Sequence, residues 1–133
     1  MDQHFKIITP VYNAQGWIGK CIESVKSQDY TNFEQIIVDD NSSDSTVEEA
    51  LSAIGIDSRF KIVQNKIRVG VPLNQKKGVE AAKASPEDII VHLDGDDWFY
   101  DSSSLLKVFE VYKKTDCWLT YGSYITTTGE RAI

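Results

Sequence analysis

The stretch Ile89-Ile90-Val91-His92-Leu93-Asp94-Gly95-Asp96-Asp97-Trp98 decides the fold. Ile89 to Leu93 is a short apolar run rich in β-branched residues, which reads as a strand. The run stops at three aspartates split by one glycine. If the extended backbone continues past Leu93, period-two geometry puts the Asp94 and Asp96 side chains on one side. Gly95 between them lets a ligand or another backbone approach closely.

Working outward, the same strand-then-helix alternation recurs along the chain. Residues 5–11, 33–38 and 59–64 read as three further strands, and 117–121 as a fifth. Trp17, Ile18, Cys21, Ile22 and Val25 recur at helical spacing, so 16–28 is expected to form an amphipathic helix. Ser45 followed three residues later by Glu48 is a capping-box signal for a helix reaching Ile54. Residues 72–84 carry alanines and lysines and predict a helix, although Gly78 in its middle works against one. Leu105, Leu106, Phe109 and Tyr112 mark the last helix. No internal repeat interrupts this order, and residues 1–133 are expected to make one domain. Strands alternating with helices imply an α/β fold: an open, mostly parallel, Rossmann-like sheet with helices on both faces. Such sheets bind ligands outside the carboxyl ends of their strands.

The residues that follow each strand therefore matter most. After the first come Thr9-Pro10-Val11-Tyr12-Asn13, and after the second Asp39-Asp40-Asn41-Ser42-Ser43-Asp44-Ser45. With Asp94, Asp96 and Asp97, six carboxylates fall at two strand ends on the same edge of the sheet. Grouped anions raise one another's pKa and cost stability unless a cation or hydrogen-bond donors compensate them. Hard carboxylate oxygens suit Mg²⁺ or Mn²⁺, which also bridge phosphate oxygens. Asp44 or Ser45 is expected to cap the following helix. Asp40 is the better candidate for accepting hydrogen bonds from a nucleobase or ribose, and the Tyr12 ring for stacking on a base. Lys66, Arg68, Lys76 or Lys77 could reach a diphosphate. His92 is read as a strand histidine packed or bonded in place.

The chain carries 14 basic and 20 acidic residues, a net charge of −6, which argues against a nucleic-acid partner. Cys21 and Cys117 lack metal or redox spacing and read as small buried hydrophobes in a reducing compartment. Residues 1–6 do not read as a signal peptide, so none is expected, and no apolar stretch approaches the ~20 residues that span a bilayer. The expected location is cytoplasmic, with peripheral membrane association left open. The glycine patterns of dinucleotide-binding and phosphate-binding loops are absent, as is the Gly-x-Ser-x-Gly elbow.

Three motifs in register resemble family 2 glycosyltransferases of the GT-A fold: Pro10-Val11-Tyr12-Asn13, the Asp39-Asp40-x-Ser-x-Asp-x-Thr pattern through Thr46, and Leu93-Asp94-Gly95-Asp96-Asp97. The likeness runs from about Lys6 to about Tyr121. It implies a GT-A-like sheet, shortened relative to the family, that binds a nucleotide-diphosphate sugar, usually a UDP-sugar, with Mn²⁺ or Mg²⁺. Asp40 would accept from the base, bordered by Pro10 and Tyr12. Asp94 to Asp97 would be the family's Asp-x-Asp motif, with Asp96 the first choice for the metal, Asp97 the second, and Asp94 on the ribose or assisting the metal. The chemistry implied is sugar transfer to an acceptor hydroxyl of a glycan, lipid or protein, commonly with inversion. The family places its catalytic base and acceptor site in a second half, so the base is expected beyond residue 133.

Two other readings compete. An aspartate-nucleophile phosphatase also has Asp-x-Asp after an apolar strand, but there the motif follows the first strand and not the fourth. A non-catalytic nucleotide-sugar-binding module would bind a donor without transferring or hydrolysing it.

Overall fold

The computed structural model describes residues 3–131. Met1, Asp2, Ala132 and Ile133, the ends of the expected 1–133 domain, lie outside them. Elements alternate in the expected order: β1 (Phe5–Val11), α1 (Ile18–Lys26), β2 (Phe33–Asp39), α2 (Thr46–Ile54), β3 (Phe60–Gln64), α3 (Val71–Ala82), β4 (Ile89–His92) and α4 (Ser104–Lys114). The strands form one sheet in the order β3-β2-β1-β4, and every pairing is parallel.

Side-chain alternation along the strands divides the core into two layers. Phe5, Ile7 and Val11 of β1 and Phe33 and Ile37 of β2 pack with Ile18, Ile22 and Val25 of α1, Ala50 and Ile54 of α2, and Leu105 of α4. Ile8, Ile36 and Val38 point the other way and pack with Ala82 of α3. Gly78 is what lets α3 lie so close to the sheet. A Cβ there would stand 2.4 Å from Ile8 Cγ2 and 3.0 Å from Val38 Cγ2. The residue that weakens the helix signal in the sequence is thus required by the packing.

The chain runs outward from β1 to β2 to β3, then crosses back through α3 to place β4 on the other side of β1. The direction of winding reverses between β1 and β4. A reversal of this kind leaves a crevice at the carboxyl ends of the strands, where neighbouring loops diverge.

Several expectations need correction. Residues 117–121 form no strand, and Trp118, Leu119 and Tyr121 are 80–96 % exposed. Apolar alternation makes a strand only when a neighbouring backbone completes a ladder, and among the described residues this segment has no such neighbour. His92 is exposed on β4, an edge strand, so the packed reading fails. Cys117 is half-buried, whereas Cys21 is fully buried. Trp17 does not continue the apolar stripe of α1; it occupies the N-cap position and is 43 % exposed. The capping box also does not form, because Ser45 makes no side-chain cap bond. Asp44 caps α2 instead, accepting from the Thr46 N–H at 3.0 Å. Beyond α4, residues 126–129 form a closed turn, with the Gly129 N–H donating to the Thr126 carbonyl.

Candidate functional site

The loops after β1 and β2 are bonded to each other before any ligand is considered. Asn13 sits at φ 49°. Its Oδ1 accepts from the Ser43 N–H at 2.8 Å, and its own N–H donates to Ser42 Oγ at 2.9 Å. The Ala14 N–H donates to Thr46 Oγ1 at 2.8 Å. Glu49 accepts from the N–H groups of Gly16 and Gly19 at 2.6 and 3.0 Å, a carboxylate placed at the positive end of α1. These bonds hold the first loop over the carboxyl end of the sheet.

Between this loop and the tip of β4 opens a cleft of about 440 Å³. Its lining includes Pro10, Tyr12, Trp17, Asp40, Arg68, Asn74, Asp94 and Asp96. It therefore lies at the switch between β1 and β4. Five sequence-predicted residues, Pro10, Tyr12, Asp40, Asp94 and Asp96, come together here. Asp97 stands beside the cleft.

Asp40 is only 3 % exposed. Its Oδ1 accepts from Asn65 Nδ2 at 3.0 Å and from the Val69 N–H at 2.8 Å, and its Oδ2 accepts from the Gly70 N–H at 2.9 Å. Burial opposes its charge. The donors at Val69, Asn65 and Gly70, with the Arg68 cation, outweigh that and hold its carboxyl below the usual range. Asp40 therefore secures the loop that enters α3. Asn65 also donates to Asn74 Oδ1, and Asn74 donates to the Val38 carbonyl at 2.7 Å. This polar chain had no assigned role in the sequence, because its members come from three separate segments.

The loop secured by Asp40 carries Arg68, whose guanidinium carbon lies 3.7 Å from the centre of the Tyr12 ring. Of the four basic candidates, Arg68 alone lines the cleft. Lys77 donates to Asn65 Oδ1 at 3.1 Å, and Lys76 pairs with Glu80 at 3.8 Å on the surface of α3.

The acidic tip is shaped by a turn and not by an extended strand. β4 ends at His92, and the Asp97 N–H donates to the Asp94 carbonyl at 3.0 Å. This turn brings one carboxylate oxygen each of Asp94, Asp96 and Asp97 within 4.8 Å of one another on the exposed surface. Partial burial, then the charges of Asp96 and Asp94, raise the Asp97 carboxyl above its ordinary range. Three hard oxygen donors this close repel one another, and among the described residues no salt bridge offsets that repulsion, so they fit a small divalent cation. Gly95 serves packing here: a Cβ would stand 2.6 Å from Val11 Cγ2. Its N–H donates to the Pro10 carbonyl at 3.2 Å.

A buried thiol supports the same turn. Burial pushes Cys21 up to about 12 against the lowering effect of the Gln35 and Thr9 hydrogen bonds, so it stays protonated. It donates to the Asp94 carbonyl at 3.7 Å, while Gln35 Nε2 donates to Thr9 Oγ1 and to the sulfur. Cys21 is thus more than a small hydrophobe.

The six carboxylates do not form one cluster. Asp94, Asp96 and Asp97 stay together; Asp40 holds the loop, Asp44 caps α2, and Asp39 is buried with Oδ2 accepting from the Ser42 N–H.

A doubly wound parallel sheet, with a cleft at its switch point and an acidic turn on the rim, defines a Rossmann-like α/β domain. The chain belongs to glycosyl transferase family 2, whose model matches residues 6–132. It is 33 % identical over 118 residues to an uncharacterized glycosyltransferase of Haemophilus influenzae, covering 89 % of this chain and 46 % of that protein. It is 32 % identical over 125 residues to WfgD of Escherichia coli, a UDP-Glc:alpha-D-GlcNAc-diphosphoundecaprenol beta-1,3-glucosyltransferase, covering 93 % and 47 %. The chain therefore spans about half the length of these two relatives. Among solved structures it resembles S. aureus TarS in complex with UDP-GlcNAc, with a TM-score of 0.73, 22 % identity, and coverage of 84 % of this chain and 32 % of that one. At that identity the likeness is one of fold, and it bears out the expected GT-A-like architecture, of which this chain forms part. Among the described residues, no helix is long and apolar enough to cross a membrane.

Proposed function

We propose that this chain forms the donor half of a sugar-transferring site. The cleft holds a nucleoside diphosphate sugar, uridine-based, with its base toward Pro10, Tyr12 and Asp40 and its diphosphate toward the acidic turn. The observation that carries this is the single cleft joining those residues to Asp94 and Asp96 across the β1–β4 switch. The UDP-Glc named for WfgD and the UDP-GlcNAc complex of TarS support a uridine donor. A mannosyltransferase of similar fold, in complex with GDP-Man and Mn²⁺, supports the cation.

Asp96 and Asp97 would hold Mn²⁺ or Mg²⁺, with Asp94 on the ribose or assisting. When bound, the cation supplies Lewis-acid neutralisation of the departing diphosphate. The chain's own residues orient the donor. Asp40 offers the remaining acceptor capacity of Oδ2 to the base or ribose, and Arg68 must yield the face of Tyr12 for a base to stack there. In the transfer, an acceptor hydroxyl oxygen bonds to the anomeric carbon from the side opposite the diphosphate. The bond to the diphosphate oxygen breaks and its electron pair leaves with the nucleotide. The configuration inverts, and the hydroxyl proton passes to a base that no residue of this chain is assigned to provide.

Calorimetric titration of UDP with and without Mn²⁺ tests the reading. Binding should require the cation, and Asp96→Ala should remove that requirement together with most of the affinity while leaving the circular dichroism spectrum intact. Absence of binding to the parent protein in either condition would refute the donor site.

A further inference from the structure

Beside the acidic turn lies an aromatic pair that the donor reading leaves unused. Trp17 and Trp98 stack with ring centroids 6.0 Å apart and planes 7° from parallel. Both stay partly open to solvent, 43 % and 37 % exposed. The Lys20 ammonium lies 5.7 Å from the centre of the Trp17 ring and 5.0 Å from that of Trp98.

Three observations separate this group from scattered surface residues. It is continuous with the cleft, because Trp17 lines it together with Asp94 and Asp96, and Trp98 directly follows the acidic turn. It is preformed: each indole restrains the other, and two segments far apart in sequence converge to build it. It also carries a cation beside a strongly acidic neighbour in a chain of net charge −6.

Each feature selects a chemistry. The C–H face of a pyranose is apolar and slightly positive, so it packs on an electron-rich indole face while its hydroxyls keep their water. Aromatic surface left open beside a binding cleft commonly marks a contact site. An ammonium next to that face offers charge-assisted hydrogen bonds to phosphate oxygens. We propose that Trp17, Trp98 and Lys20 form this half's contribution to the acceptor site, whose remainder the resemblance places in a second half: a platform for a saccharide bearing a phosphate group at one end. Its pyranose ring lies against the indoles and its phosphate contacts Lys20. This rests on the donor reading for its place in the reaction, since an acceptor seated beside the acidic turn presents its hydroxyl to the donor sugar. The platform's chemistry is independent of that reading.

The test uses the indole N–H resonances of the protein's three tryptophans, in protein loaded with Mg²⁺ and UDP. N-acetylglucosamine 1-phosphate should shift the signals of Trp17 and Trp98 and leave that of Trp118 in place. The neutral methyl glycoside and inorganic phosphate should each bind more weakly. Trp98→Ala should weaken the sugar phosphate roughly tenfold and Lys20→Ala about fivefold, with Mg²⁺–UDP affinity unchanged in both. Retained UDP affinity also shows that each variant is folded. Normal UDP binding without movement of the two indole signals would overturn the platform alone. Loss of UDP binding by the parent protein, with the indole shifts kept, would overturn the donor reading and leave the platform standing. Equal binding of the neutral glycoside would remove Lys20 and the phosphate from the proposal.

Discussion

At Asp40 a buried carboxylate meets three N–H donors from a loop some thirty residues downstream, so its contribution to ligand binding cannot be separated from its hold on that loop. Asp40→Asn keeps the volume but turns an amide donor toward Val69 or Gly70. The loss of a charged acceptor to buried N–H groups should cost about 2–3 kcal/mol of stability in urea unfolding. Nucleotide affinity should fall as well, because Arg68 rides on the same loop. An unchanged urea midpoint would mean that the loop bonds contribute nothing and that Asp40 serves the ligand alone. The sequence made Pro10, Tyr12, Asp40 and the 94–97 aspartates legible, since each lies at or just past the carboxyl end of a strand, where such sheets bind. It did not reveal the Asn65–Asn74 chain or the donation from Cys21 to Asp94. Those bonds join residues whose spacing along the chain has no period, so only the folded packing brings them within reach.

Local pattern predicted the elements well wherever the pattern itself supplied the partners. A helix satisfies its own backbone, and the four helices appear within a few residues of their expected bounds. Strands need neighbours, so residues 117–121 looked strand-like and yet pair with nothing among the described residues. Gly78 shows the opposite failure, where a residue unfavourable to the isolated helix is demanded by its contact with the sheet. Gly78→Ala sets the two effects against each other. Helix propensity gains about 1 kcal/mol, whereas the new methyl would meet Ile8 Cγ2 at 2.4 Å and overpacking costs typically about 1–3 kcal/mol. The β-branched Ile8 sits on the central strand and has little room to yield, so net destabilisation is expected. A urea midpoint above that of the parent protein would show that α3 can lift from the sheet at little cost.

Across the whole molecule, proton binding weakens the fold at the carboxylates whose pKa is lowered and favours it at Asp97, where a cation would compete with the proton. Asp40, Asp44, Asp57, Asp88 and Glu34 are held below their ordinary ranges in the fold. Stability from such groups is fully present above the unfolded value of about 4 and is lost as pH falls through their folded values. Asp97 has the reverse sign. Its folded pKa is raised, so the native state holds more protons there than the unfolded chain, and stability falls as pH rises through that window. A cation at the turn would favour the charged form of Asp97 and remove this cost. Ligand that binds only the native state adds about 2.7 kcal/mol at a hundredfold excess over its Kd, worth several degrees in Tm for a domain of this size. Thermal unfolding should therefore show a clear rise in Tm with Mn²⁺ and UDP at pH 7.5, and no rise in Asp96→Ala. At pH 4.5 the gain should shrink, because the Asp97 carboxyl, raised by partial burial and by Asp96 and Asp94, takes up protons at higher pH than the carboxylates with lowered values do and so competes with the cation. A gain equally large at both pH values would mean that the cation is held without Asp97, leaving Asp94 and Asp96 as its ligands.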